Sequence, residues 1–131
     1  MDKPQQINFI RHVALEFILG VSSEIYPREF TAQLRAEGET ITEVLVIPAS
    51  TFGEGFATTR RDMIPFDKSI VGSVHSHPGG SFRPSQEDLR YFQKMGKIHL
   101  IVKNPYQGIE DIAAYDRNGE RVELRIEEEE G

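Results

Sequence analysis

His75 and His77 stand two residues apart at the end of a β-branched, apolar run that begins at Ile70. Alternate side chains of a strand share one face, so the two imidazoles converge on one ion. Ser85 follows eight residues after His77 and Asp88 three after that, giving His75-x-His77-x7-Ser85-x2-Asp88. Zinc accepts neutral imidazole and carboxylate, and a catalytic zinc takes three protein ligands and leaves a fourth position for water. The Pro/Gly-rich segment 78–84 is long enough to reverse the chain and bring the first turn of a following helix back over the strand end. Asp88 would then face the histidines, kept ionised by the partial positive charge of the helix N-terminus.

Each part also has a plainer reading. Ser-x-x-Asp at a helix start has the form of a capping box, and a His-x-His pair at a strand end is ordinary. The combination is not. With 4 His among the 131 residues, the four-residue pattern arises by chance in roughly 3 of 10,000 chains of this composition. No cysteine is present, which excludes a disulfide framework, a Cys-ligated metal and a catalytic thiol. Metal chemistry must therefore come from His, Asp and Glu.

The elements that must position this cluster read as follows. Ile7, Ile10, Val13, Ala14, Phe17, Ile18 and Val21 are spaced as one face of an amphipathic helix over about 6–21, closed by Gly20, Ser22, Ser23 and Pro27. Strands are expected over 30–35 and 41–47, joined by a turn at 36–39. The stretch 48–69 reads as a long connection with a short strand at 56–59. A strand over 70–77 precedes a helix over 85–94, with Leu89, Phe92 and Gln93 on one side and Gly96 after its end. A strand follows at 98–102. Two more, 112–115 and 122–126, flank Asp116-Arg117-Asn118-Gly119, a hairpin signal. The order predicts an α/β fold: an α-β-α sandwich with a mixed sheet, in one domain over 1–126, followed by a flexible acidic tail over 127–131.

A length of 131 residues suits a single core, and 38% hydrophobic against 27% charged residues argues against wholesale disorder. The formal charge is −6, and about −2 without the glutamates at 127–130. A net-negative surface does not attract phosphate backbones or anionic lipid, so no nucleic-acid or membrane partner is expected. No apolar run reaches the length of a membrane span, and the N-terminal residues lack a secretory pattern. The expectation is a cytoplasmic protein, a monomer or weak homodimer.

His75-Ser76-His77-Pro78, with Ser85 and Asp88 at these spacings, resembles the JAMM motif of the MPN-type metallopeptidases. The stretches Arg83-Pro84-Ser85-Gln86-Glu87-Asp88-Leu89 and Gly96-Lys97-Ile98-His99 add to the likeness, which is nearest to stand-alone, single-domain prokaryotic members of archaeal type. The resemblance implies a curved mixed sheet of the kind also found in cytidine deaminases, and one zinc per chain held by His75, His77 and Asp88. It implies that Ser85 helps stabilise an oxyanion and that a glutamate serves as general base. Periodicity alone leaves Glu16, Glu24, Glu29, Glu37, Glu39, Glu43 and Glu54 open as that base. The family's order puts it at the start of the strand after the first helix, which selects Glu29. The chain departs from many relatives in carrying Gln33 and Arg35 on that strand, which bears on the register at Glu29. His12 and His99 read as structural or exposed, and Arg60-Arg61 as a solvated pair.

Family members hydrolyse isopeptide or peptide bonds at the C-terminus of ubiquitin-like modifiers. The resemblance thus implies a zinc metalloprotease acting on a ubiquitin-like modifier and its conjugates, at the bond after a C-terminal Gly-Gly. The segment 49–64, with Phe56 and Met63, is the expected wall of the cleft for that tail. Two alternatives stand beside this. One is a peptidase that trims the C-terminus of a sulfur-carrier protein; the other is a non-catalytic MPN-type scaffold.

Overall fold

The computed structural model describes residues 6–46 and 69–127. The expected strand at 56–59, the cleft wall at 49–64, Glu54, Arg60-Arg61 and the last four residues lie outside them.

The chain enters through a strand, β1 (Phe9–Arg11), and only then forms the helix α1 (His12–Ile25). This corrects the helix expected from residue 6. The three-residue step from Ile7 to Ile10 fits a helical stripe, but both side chains reach the core without one. What makes 9–11 extended is a pair of distant partners that hydrogen-bond its backbone on both sides. The helix also runs through Gly20, Ser22 and Ser23. It stops at Tyr26, whose extended ψ of 135° is the conformation a following proline enforces. Its buried stripe is Ala14, Leu15, Ile18, Leu19 and Ser22, whereas Val13 and Phe17, expected inside, are exposed.

β2 (Thr31–Glu37) and β3 (Thr40–Val46) form an antiparallel hairpin through the expected turn, where Gly38 takes the left-handed φ of 60°. β2 also pairs antiparallel with β4 (Ile70–His77). β4 in turn pairs in parallel with β5 (Ile98–Lys103), through a crossover containing α2 (Gln86–Lys94). On α2 Phe92 is fully buried and Leu89 packs beside it, while Gln93 points outward. β6 (Ile112–Tyr115) runs antiparallel to β5 and turns into β7 (Arg121–Val122). In that turn Asp116 Oδ1 accepts the N–H groups of Asn118 (2.8 Å) and Glu120 (3.0 Å).

The expected strand over 122–126 is two strands, because β8 (Arg125–Glu127) pairs in parallel with β1. Glu127, assigned to the tail, belongs to it. Among the described residues the sheet has eight strands in the order β7-β6-β5-β4-β2-β3-β1-β8. Its two outermost strands are joined by residues 123 and 124 alone, and such a link spans no more than about 11 Å. The sheet therefore curls until its edges approach each other, which matches the predicted curved mixed sheet.

Among the described residues, the two α-helices cover opposite faces. Ile98, Leu100 and Val102 of β5 pack with Ala14, Leu15 and Ile18 of α1. Ile101 packs instead with Phe92 of α2, Ala113 and Tyr115. A central strand covered on both faces must be buried along its length, and β5 is buried from Ile98 to Val102, with His99 the polar side chain among them. Among the described residues no helix is long and apolar enough to cross a membrane.

Candidate metal centre

The site lies where the ends of three elements meet. β4 delivers His75 and His77 on the face covered by α2, with the His75 ring 6.5 Å from that of Phe92. Ser76, between them, points the other way and is fully buried. Its Oγ accepts the Phe30 N–H (2.7 Å) while its own N–H donates to Phe30 O (2.9 Å).

Segment 78–84 then reverses the chain, and Ser85 caps α2. Ser85 Oγ accepts the Asp88 N–H (3.0 Å), and Asp88 Oδ2 accepts the Ser85 N–H (2.8 Å). The capping box therefore exists, and it fixes the carboxylate rather than competing with its use. The bonded oxygen is anchored at the helix start while Oδ1 reaches 3.2 Å from His75 Nε2. Oδ2 is 3.6 Å from His77 Nε2. Side-chain exposures of 14%, 19% and 19% for His75, His77 and Asp88 leave the group set into the surface yet open to a small ligand.

The donor set fits a metal ion on three counts. Donor atoms of the three residues all lie within 4.8 Å of one another, near the roughly 3.4 Å separation of ligands about a tetrahedral zinc. His75 Nε2 is buried and makes no hydrogen bond despite the carboxylate beside it, because the alignment is wrong. A buried imidazole nitrogen that lies beside a carboxylate without a hydrogen bond to it is the arrangement an ion would satisfy. Finally, His77 Nδ1 sits 3.1 Å from Ser81 O. A carbonyl only accepts, so Nδ1 carries the hydrogen and Nε2 of the neutral ring presents its lone pair to the site.

The electrostatics agree. Burial pushes the Asp88 carboxyl up, but His75, His77 and the Ser85 N–H outweigh it and hold it well below the usual carboxylate range. The hydrogen bond to Asp88 raises His77, partly offset by burial, and the Glu29 carboxylate contributes to the same rise.

Glu29 lies just before β2, exposed. Thr31 pairs with His75 across the antiparallel β2–β4 ladder, and Phe30 with Ser76. The next pair in that register is Glu29 with His77. Gln33 and Arg35 bear on the register at Glu29, and the register shifts of this strand lie near Arg35, at its far end from Glu29. There Arg35 binds Ser69 Oγ (2.7 Å) and Glu43 Oε2 (2.9 Å).

The remaining histidines stay apart from the donors. His12 is exposed, 3.4 Å from Glu16. His99 is fully buried, with Nδ1 2.7 Å from Ser73 Oγ and Nε2 3.1 Å from Phe92 O. Its ring stacks on Phe92 at 4.4 Å, and burial pushes its pKa down to about 4. Sequence reasoning missed two contributors. Ser81 acts through its carbonyl, which every residue type carries. Tyr106 donates from Oη to His77 O (3.3 Å) across 29 residues of chain, and no spacing signals that.

A curled mixed sheet covered by α1 on one face and α2 on the other, carrying a His-x-His strand end against an Asp in the first turn of a helix, defines a JAMM-type metalloprotease-like domain. The comparisons specify it further. The model of prokaryotic homologues of the JAB domain matches residues 5–118. A probable metalloprotease of Haloferax volcanii is 40% identical over 123 residues, covering 86% of this chain and 75% of its own length. A JAB1/MPN domain protein from Archaeoglobus fulgidus aligns with a TM-score of 0.73 at 34% identity, over 93% of this chain and 100% of its own. A structure described as JAMM, a metalloprotease-like zinc site in the proteasome and signalosome, aligns with a TM-score of 0.73 at 32% identity, over 94% of this chain and 99% of its own. The chain belongs to the family of prokaryotic homologues of the JAB domain.

Proposed function

We propose that this chain is a zinc-dependent isopeptidase that hydrolyses the bond after the C-terminal Gly-Gly of a ubiquitin-like modifier. The observation that carries the reading is the convergence of His75, His77 and Asp88 on one point, with the Glu29 carboxylate close enough to act on His77. The description of a relative's site as a zinc site supports zinc as the ion here.

His75 Nε2, His77 Nε2 and an Asp88 carboxylate oxygen would hold the ion. When bound, it supplies Lewis acidity, making water a nucleophile near neutral pH and polarising the scissile carbonyl. Glu29 takes a proton from the attacking water. As the C–N bond breaks, it returns that proton to the departing lysine amine, so the base becomes the acid. Among the described residues the Ser85 hydroxyl accepts from Asp88 N–H and donates to none. Its proton is thus available to the carbonyl oxygen as negative charge develops there. Capping supplies the orientation for that donation.

The test is hydrolysis of a Gly-Gly–lysine isopeptide conjugate of a ubiquitin-like protein by wild type and Glu29→Gln, each with and without a zinc chelator. Glu29→Gln is expected to lower kcat by about 10²–10⁴ while zinc stoichiometry stays at one per chain, and chelator should abolish turnover. A zinc-loaded wild type that leaves the conjugate intact would overturn the isopeptidase reading.

A further inference from the structure

The carbonyl that orients His77 is itself held in place from two strands away, on the face covered by α2. Residues 81–83 lie in the glycine-containing reversal after β4, a segment with no secondary structure of its own. Ser81 O accepts from His77 Nδ1 (3.1 Å). The adjacent carbonyl, Phe82 O, accepts from Tyr115 Oη at 2.8 Å, across 33 residues of chain. The Phe82 ring lies under two cations, with Lys103 Nζ 4.9 Å and Arg121 Cζ 5.2 Å from its centroid. Ser81 Oγ also accepts the Arg83 N–H (3.1 Å), tightening the same turn. Tyr115 is a rigid anchor. It is 6% exposed on β6, two strands from β4, and its ring stacks on Phe92 at 5.9 Å.

We infer that Tyr115 is a positioning residue for the metal centre: its hydroxyl fixes the 81–83 turn, and through the Ser81 carbonyl it sets the tautomer and ring direction of His77. The other contacts hold the Phe82 ring and the Arg83 N–H, whereas the Tyr115 bond holds the Phe82 carbonyl, so losing it frees the 82–83 peptide and with it the direction of the adjacent Ser81 carbonyl. His77 Nδ1 then loses its acceptor, and Nε2 is no longer aimed at the shared point. Partners that orient a metal-binding histidine typically govern 10- to 100-fold in metal affinity, and Tyr115 acts one bond further out. The inference rests on the reading of His77 as a ligand.

Zinc affinity by competition with a chromogenic chelator, and the visible spectrum of the cobalt(II) form, test it on wild type, Tyr115→Phe and Leu15→Ala. Tyr115→Phe keeps the ring packing and removes only the donor. Leu15→Ala loosens the core on the α1 side, away from the site, and serves as the control for general destabilisation. The expected result is a roughly 10-fold loss of zinc affinity in Tyr115→Phe with an altered cobalt spectrum, and wild-type values for both in Leu15→Ala. Wild-type affinity and spectrum in Tyr115→Phe would overturn the inference and leave the metal site standing. Equal losses in both variants would also overturn it, by showing loosening rather than positioning. A wild type that takes up neither metal would overturn the metal reading, and this inference with it.

Discussion

At the residue scale, the site is built from side chains that each satisfy two demands. Asp88 closes the capping box and faces both histidines. Ser85 accepts at the helix start and keeps its proton for other use. His99 shows the opposite solution. It is buried neutral, stacked on Phe92, and bound to the carbonyls that end α2. It thereby fastens the end of the helix whose start carries Asp88. The folded protein binds a proton at His99 only near pH 4, whereas the unfolded chain binds it near 6.5. The unfolded state therefore carries more protons as pH falls from 6.5 to 4, and stability is lost across that window. A full shift of this size corresponds to about 3 kcal/mol. Denaturant unfolding at pH 7 and pH 4 should show a smaller pH-linked loss in His99→Gln than in wild type. Equal losses would place the acid sensitivity elsewhere.

At the element scale, the pairing of β4 with β5 decides whether the ligands reach their positions. Gly72 of β4 sits so close to β5 that a Cβ there would collide with the Ile98 carbonyl. Gly72→Ala must push the two strands apart three residues before His75. It is expected to cost more than about 2 kcal/mol and to weaken zinc binding, read by denaturant unfolding and zinc titration. Gly20 makes the contrast. A Cβ there meets nothing within 4 Å, and the residue sits exposed inside α1. Gly20→Ala should stabilise the protein by about 0.5–1 kcal/mol, because alanine has less freedom to lose on folding, and should leave zinc binding unchanged.

At the scale of the whole molecule, the metal centre stands apart from what holds the fold together. Ile10, Ile18, Leu34, Val74 and Leu100 are fully buried in the core on the α1 side, and the centre lies at the ends of β4 and α2. Removing the metal should therefore leave the secondary structure intact by circular dichroism, unlike a zinc finger. Zinc binding only the folded state should add about 2.7 kcal/mol at a free concentration one hundred times its Kd, seen as a rise in Tm. Unfolding on chelation would mean that the ion is part of the core.

The local chemistry was legible in the sequence because it depends on short spacings. Period two placed His75 and His77 on one face, and three residues separate a cap from the N–H it accepts, so Ser85 and Asp88 could be read with them. The hairpins at Gly38 and Gly119 were legible for the same reason, since a left-handed φ is a local requirement. The tertiary structure decided what rests on long-range pairing. Residues 9–11 became a strand, and 122–127 split between two edges of one sheet, because partners far along the chain completed their hydrogen bonds. Glu29 came beside His77 by an antiparallel register set 46 residues apart, and Tyr115 reached the His77 loop through a carbonyl that no residue type announces. Side-chain types and short spacings are written along the chain, but backbone partners at a distance are chosen only when the core closes.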